Sequence, residues 1–138
     1  MTPRKISFLL VDDDMVNNFL TKEFLEIYVP EAETYTALNG KEALDFLLTM
    51  VDTPENLPDI ILLDINMPVL DGWEFLDKLE SLKNPILEKL NIYMFTSSVY
   101  YKDIDKSKTY ASVKNIFSKP LTEEIIHKML NEISFTNA

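Results

Sequence analysis

Short apolar runs that end in polar residues alternate along this chain with longer amphipathic stretches. Five runs have strand length: 6–11 (ISFLLV), 34–38 (TYTAL), 60–63 (IILL), 92–95 (IYMF) and 113–117 (VKNIF). Between them apolar residues recur at helical spacing. Val16, Phe19, Leu20, Phe24 and Ile27 form one stripe, Ala43, Leu44, Leu47 and Leu48 a second, and Phe75, Leu76, Leu79 and Leu82 a third. Ile125, Ile126, Met129, Leu130 and Ile133 form another behind Thr122, a good N-cap. Asn39 with Glu42 three residues on resembles a capping box for the second stripe. The stretch 102–110 is polar and poorly patterned, and supplies the remaining helix. Five strands alternating with five helices predict an α/β fold, a parallel sheet covered on both faces. The segment 59–63 (DIILL) is apolar on successive positions, as a central strand buried on both sides requires.

Composition narrows the function classes. A chain of 138 residues suits one domain and buries roughly 68–70% of its unfolded surface without staples. Its 23 acidic and 13 basic side chains leave a net charge of −10, which argues against a nucleic-acid partner. The absence of cysteine excludes disulfides and thiolate metal sites, the single His127 excludes a two-histidine site, and two glycines cannot build a Gly-rich phosphate loop. The apolar stretch 8–11 is too short for a signal peptide and runs into three aspartates. No apolar run reaches the length of about 18 residues that a membrane span needs. The expectation is a soluble cytoplasmic domain.

Ligands of parallel α/β sheets bind beyond the carboxyl ends of the strands. There this chain places Asp12, Asp13 and Asp14 after the first strand and Asp64 after the third. Thr96-Ser97-Ser98 follows the fourth strand and Lys119-Pro120 the fifth. In a parallel sheet all four groups converge on one edge. Clustered carboxylates repel one another, and a hard divalent cation removes the conflict. Mg²⁺ prefers oxygen ligands, uses few protein carboxylates and keeps waters. A lysine and a hydroxyl beside it suit the oxygens of a phosphoryl group, and a carboxylate can attack phosphorus to give an aspartyl phosphate. Singly, each group reads as an acidic turn, a loop or a helix entry; their placement at four strand ends carries the inference. Asp14 reads as an N-cap for the first helix.

The stretches LLVDDD, DIILLDINMPVLDGWEFL, YMFTSS and FSKPLT resemble those of receiver domains of bacterial two-component response regulators, over about residues 4–133. The resemblance implies a flavodoxin-like, doubly wound five-stranded parallel sheet of order 2-1-3-4-5 with five helices. It also implies Asp64 as phosphoacceptor and Asp13 as a direct Mg²⁺ ligand. Asp12 would act mainly through metal-bound water, and Asn66 would complete the metal shell by its backbone carbonyl. Thr96 would turn its hydroxyl to the phosphoryl group, Lys119 would pair with a phosphoryl oxygen, and the Lys119-Pro120 bond would be cis. Asn66 and Ser98 stand where side chains would meet the water that hydrolyses the acyl phosphate. Gly72 is expected to serve the geometry of the loop after Pro68, where a small flexible residue fits, and Met67 and Trp73 to pack. One position departs from the pattern: Ile116 stands three residues before Lys119, where many receivers carry a Tyr or Phe that swings inward on activation, and Phe117 is its neighbour.

By the same resemblance the partner is a sensor histidine kinase or a histidine phosphotransfer protein, meeting the first helix near Met15, Asn18 and Leu20. The expected activity is limited to the domain's own phosphorylation and slow autodephosphorylation. The expected organisation is one receiver domain over 1–138 with no output domain, a monomer or a phosphorylation-dependent homodimer, signalling through its surface to a target the sequence does not name. Residues 99–119 hold five lysines (Lys102, Lys106, Lys108, Lys114 and Lys119) against Asp103 and Asp105, a net +3 in a chain of −10, together with Tyr100, Tyr101 and Tyr110. That makes a basic, tyrosine-bearing face around the fourth helix a docking candidate. Two rival readings remain at this point. A phosphatase of the haloacid dehalogenase type also uses an aspartyl phosphate, and residues 12–16 (DDDMV) fit its loose Asp-x-Asp-x-Val pattern, but Glu123-Glu124 after Lys119 begin a helix. A phosphorylation-independent scaffold of receiver fold often lacks one of the acidic residues or the lysine, all of which are present here.

Overall fold

The structure, a computed structural model, describes residues 5–134. Five strands and five α-helices alternate: β1 (Ser7–Val11), α1 (Met15–Tyr28), β2 (Glu33–Ala37), α2 (Gly40–Leu48), β3 (Ile60–Asp64), α3 (Gly72–Ser81), β4 (Ile92–Thr96), α4 (Tyr101–Ser107), β5 (Val113–Ser118) and α5 (Glu123–Ser134). Two short 3₁₀ turns, Pro54–Asn56 and Leu87–Lys89, lie in connections where the hydrophobic pattern predicts no element. All strand pairs are parallel, in the order β2-β1-β3-β4-β5. The predicted flavodoxin-like fold is therefore present, with strand ends within a residue of the predicted runs.

The three central strands are buried along their whole length. Alternate residues feed two cores. Leu9, Val11, Ile61, Leu63, Ile92 and Met94 face α2 and α3. Phe8, Leu10, Ile60, Leu62, Tyr93 and Phe95 face Leu25 of α1 and Ile126, Met129 and Ile133 of α5. Burying a side chain of this size removes about 1.5–3 kcal/mol of apolar exposure, so both faces hold the sheet.

The stripe predicted to seat α1 points outward. Val16, Phe19, Leu20 and Ile27 are exposed, Phe24 is half-buried, and Asn18 and Leu25 are the buried residues of this helix. The rotation is fixed by polar bonds at its first turn. Asp14 caps the helix by accepting the N–H groups of Val16 and Asn17, and the Asn18 amide donates to the carbonyl of Asp12 at 2.9 Å. α2 starts at Asn39, which accepts the Glu42 N–H at 2.9 Å; Glu42 reaches back to the N–H of Leu38 rather than that of Asn39, so the box is open. Leu48 and Leu82, at the ends of their stripes, are exposed. α3 has the complete capping box, Asp71 with Glu74. Thr122 caps α5 through the Ile125 N–H at 3.2 Å. α4 ends at Ser107, earlier than the predicted stretch 102–110.

Candidate functional site

The carboxyl edge of the sheet gathers Asp12 and Asp13 from the end of β1, Asp64 from β3, Thr96 from β4 and Lys119 from the end of β5. Asp12, Asp64 and Thr96 are buried, Lys119 is half-buried and Asp13 is exposed. Lys119 Nζ lies 2.7 Å from Asp12 Oδ2 and 3.5 Å from Asp64 Oδ2. The Lys119 N–H donates to the Thr96 carbonyl at 2.8 Å, which ties the end of β5 to β4. The Lys119-Pro120 bond is cis, as expected. Asp12, Asp13 and Asp64 each offer an oxygen within 4.8 Å of the others.

This is a charged cluster under tension. Burial pushes the Asp64 carboxyl up from its ordinary value, and the negative charge of Asp12 pushes the same way, while Lys119 opposes both. Burial alone would lower Lys119, but its bond to Asp12 and the charges of Asp64 and Asp12 outweigh it and hold the ammonium above its usual range. Three oxygen donors with one open, exposed member fit a hard divalent cation, which would relieve the repulsion.

The sequence profile described as the response regulator receiver domain matches residues 8–131. This chain belongs to that family. Among curated relatives it is 28% identical over 126 residues to a probable methanogenesis regulatory protein, FilR2, of Methanothrix harundinacea, covering 91% of this chain and 79% of that one. It is 38% identical over 78 residues to the transcriptional regulatory protein PrrA of Mycobacterium tuberculosis, which is 56% of this chain and 30% of that longer protein. The crystal structure of a two-component response regulator from Cytophaga hutchinsonii superposes with a TM-score of 0.86 at 31% identity, covering 94% of this chain and 98% of that one. Membership sets the haloacid dehalogenase reading aside. Among the described residues no helix is long and apolar enough to cross a membrane.

Around the receiver's acidic edge, the remaining predicted residues fall in two places. Asn66, Thr96 and Ser98 line a groove of about 310 Å³ with Trp73 and Tyr100. On the other side a hollow of about 200 Å³ between α1 and the start of α5 is lined by Asp64, Lys119, Leu20, Phe24, Phe95 and Pro120. Met67 is buried in the core as expected, and Trp73 packs on Tyr110, with ring centroids 5.9 Å apart and Lys106 over the indole. Tyr110 does not belong to the exposed tyrosine face: it is buried, and its hydroxyl donates to Asp77 at 2.6 Å; burial first, and then that bond, push its pKa up to about 12. Tyr100 and Tyr101 are exposed.

Gly72 bears out the small residue expected there but not the flexible one. It has no positive φ, and its need is space: a Cβ there would lie 2.6 Å from the Asp64 carbonyl oxygen, while its own N–H donates to the Ile65 carbonyl at 2.8 Å. α3 is thus seated directly on the end of β3. Ile116 packs toward the α2–α3 core, paired with Met94, whereas Phe117 faces the opposite core and lies against Tyr93 and Phe95. Phe117 therefore cannot take the aromatic position that Ile116 leaves vacant. Sequence reasoning missed Asn17, whose amide donates to Asp12 Oδ2 at 2.7 Å. The available signal was a pair of asparagines in the first turn of an otherwise apolar-patterned helix.

Proposed function

We propose that this receiver accepts a phosphoryl group on Asp64 from the phosphohistidine of a sensor histidine kinase or a histidine phosphotransfer protein. The observation that carries the reading is Lys119, held between Asp12 and Asp64 at 2.7 and 3.5 Å beside a three-carboxylate cluster. Asp64 is a buried carboxylate made more basic by its surroundings, which suits a nucleophile. Its oxygen attacks phosphorus, the phosphorus–nitrogen bond breaks, and the electron pair leaves with the imidazole. Lys119 neutralises charge on the phosphoryl oxygens and Thr96 donates a hydrogen bond to them. Asp13, Asp64, the Asn66 carbonyl and Asp12 are the groups that would hold Mg²⁺, which when bound would supply positive charge beside Asp64. Asn66 and Ser98, in the groove on the α4 side, meet the water that later hydrolyses the acyl phosphate.

The donor protein docks on α1. Of the expected contact residues Asn18 is buried against the Asp12 carbonyl, whereas Met15 and Leu20 form with Val16 and Phe19 an exposed apolar patch beside Asp12, and the hollow next to it reaches Asp64. Signalling uses the α4 face, where Lys102, Lys106 and Lys108 stand exposed with Tyr100 and Tyr101 and suit an acidic partner or a second copy. The test is incubation with Mg²⁺ and phosphoramidate followed by intact mass, with Asp64→Asn beside it. The reading requires one phosphoryl group that depends on Mg²⁺ and is absent from the variant. If neither the adduct nor any response to Mg²⁺ with beryllofluoride appears, the fold serves as a phosphorylation-independent scaffold.

A further inference from the structure

Asp12 is gripped by the first turn of α1 at both its backbone and its side chain. Asn18, itself 4% exposed, donates to the Asp12 carbonyl at 2.9 Å. Asn17 donates to Asp12 Oδ2 at 2.7 Å. The same oxygen accepts Lys119 Nζ at 2.7 Å, and the other carboxylate oxygen accepts the Asp14 N–H at 2.9 Å. Oδ2 therefore carries two donors of different fate. Asn17 is fixed to a helix, while Lys119 also lies 3.5 Å from Asp64 Oδ2 and is drawn toward any phosphoryl group placed there.

When Lys119 shifts, Asp12 loses a donor where little water can replace it, since the residue is only 5% exposed. Its neighbours Asp13 and Asp64 carry the same charge. A carboxylate that loses a donor there turns away from its place. We propose that Asn17 is a positioning residue of the acceptor site, whose amide keeps the Asp12 carboxylate in place while Lys119 moves from Asp12 to the phosphoryl group. This rests on the receiver reading above. A neutral amide suits this role, because a lysine at this position would compete for the phosphoryl oxygens and an aspartate would add a fourth carboxylate to the cluster. Asn17 sits half-buried at the lining of the hollow between α1 and α5, so the core does not require its volume.

The test titrates beryllofluoride, which mimics a phosphoryl group on a carboxylate, in the presence of MgCl₂. The proteins are the wild type, Asn17→Leu, Asn17→Ala and Asn17→Gln, read by Trp73 fluorescence and amide NMR. MgCl₂ alone is titrated in parallel, and circular dichroism checks the fold. Loss of one hydrogen bond to a charged group predicts roughly tenfold weaker beryllofluoride binding in the Leu and Ala variants. Mg²⁺ binding is retained in both, and the amide of Asn17→Gln restores part of the loss. The proposal is overturned if Leu and Ala bind beryllofluoride as the wild type does. It is equally overturned if Mg²⁺ and beryllofluoride affinities fall by the same factor, since Asn17 would then be a general support of the acidic cluster. A wild type that binds neither probe overturns the receiver reading, and this inference with it.

Discussion

Replacing Gly72 by alanine tests how directly α3 is seated on β3 at Asp64. The added Cβ would lie 2.6 Å from the Asp64 carbonyl oxygen and 3.0 Å from Ile65 Cα. Both are backbone atoms, so no side-chain rotation relieves the contact. Relaxed carbon–oxygen contacts lie at roughly 3.3–3.6 Å, so the helix start or the strand end must move by about 0.7–1.0 Å. Overpacking of this kind costs about 1–3 kcal/mol, and the better helix propensity of alanine offsets at most about 1 kcal/mol. The expected net loss is about 1–2 kcal/mol, a fall in melting temperature of roughly 3–8 °C for a domain of this size. The displacement is delivered to Asp64, the proposed acceptor, so phosphorylation from phosphoramidate should slow by about tenfold to a hundredfold. Thermal melts and the rate of adduct formation by intact mass measure the two effects. Gly40→Ala is the control: its Cβ meets the Leu70 carbonyl oxygen at 2.8 Å, so it should lose stability with a far smaller change in rate. A Gly72→Ala protein that melts at or above the wild type and phosphorylates at the wild-type rate refutes the reasoning.

Three further outcomes are expected. Mg²⁺ at a hundred times its dissociation constant should stabilise the protein by about 2.7 kcal/mol, and Asp13→Asn should lose most of that gain; a wild-type melting temperature indifferent to Mg²⁺ contradicts the metal assignment. Val69 sits at φ 69° and 73% exposed, in a turn closed by the Leu70 N–H on the Pro68 carbonyl at 2.7 Å. A left-handed β-branched residue costs roughly 1–2 kcal/mol, so Val69→Asn should melt higher, and a lower melting temperature counts against that strain. Burial raises the Asp64 pKa, so this group's contribution to stability is fully present below its unfolded pKa and is lost as pH rises through its folded one. Without metal, Asp64→Asn should therefore melt above the wild type near neutral pH, with the gap closing toward the ordinary carboxylate pKa of about 4; a gap that widens in acid reverses the sign and defeats the argument.

The acidic edge is legible in the sequence because Asp12, Asp64, Thr96 and Lys119 each stand where an apolar run ends, and a parallel sheet brings those ends together. The orientation of α1 is not legible in the same way. Hydrophobic periodicity reports that a helix has an apolar face, not that the face is turned inward. Here the cap at Asp14 and the Asn18 bond to Asp12 set the rotation, and Val16, Phe19, Leu20 and Ile27 are left outside. Gly72 reads as a flexible residue in one dimension and as a missing β-carbon in three, because the Asp64 carbonyl it meets is close only after β3 and α3 have packed. Tyr110 looks like a surface tyrosine until Asp77 of α3 supplies the acceptor that offsets the cost of burying its hydroxyl. The position of Ile116 is readable by counting from Lys119, but the face taken by Phe117 needs the strand's register.

The most direct test of the central claim locates the phosphoryl group. The protein is phosphorylated with phosphoramidate and Mg²⁺, treated with borohydride to reduce the acyl phosphate to an alcohol, and digested for peptide mapping. The account requires reduction at Asp64, with Asp12 and Asp13 untouched. Reduction at Asp12 or Asp13, or an adduct that resists borohydride, contradicts it.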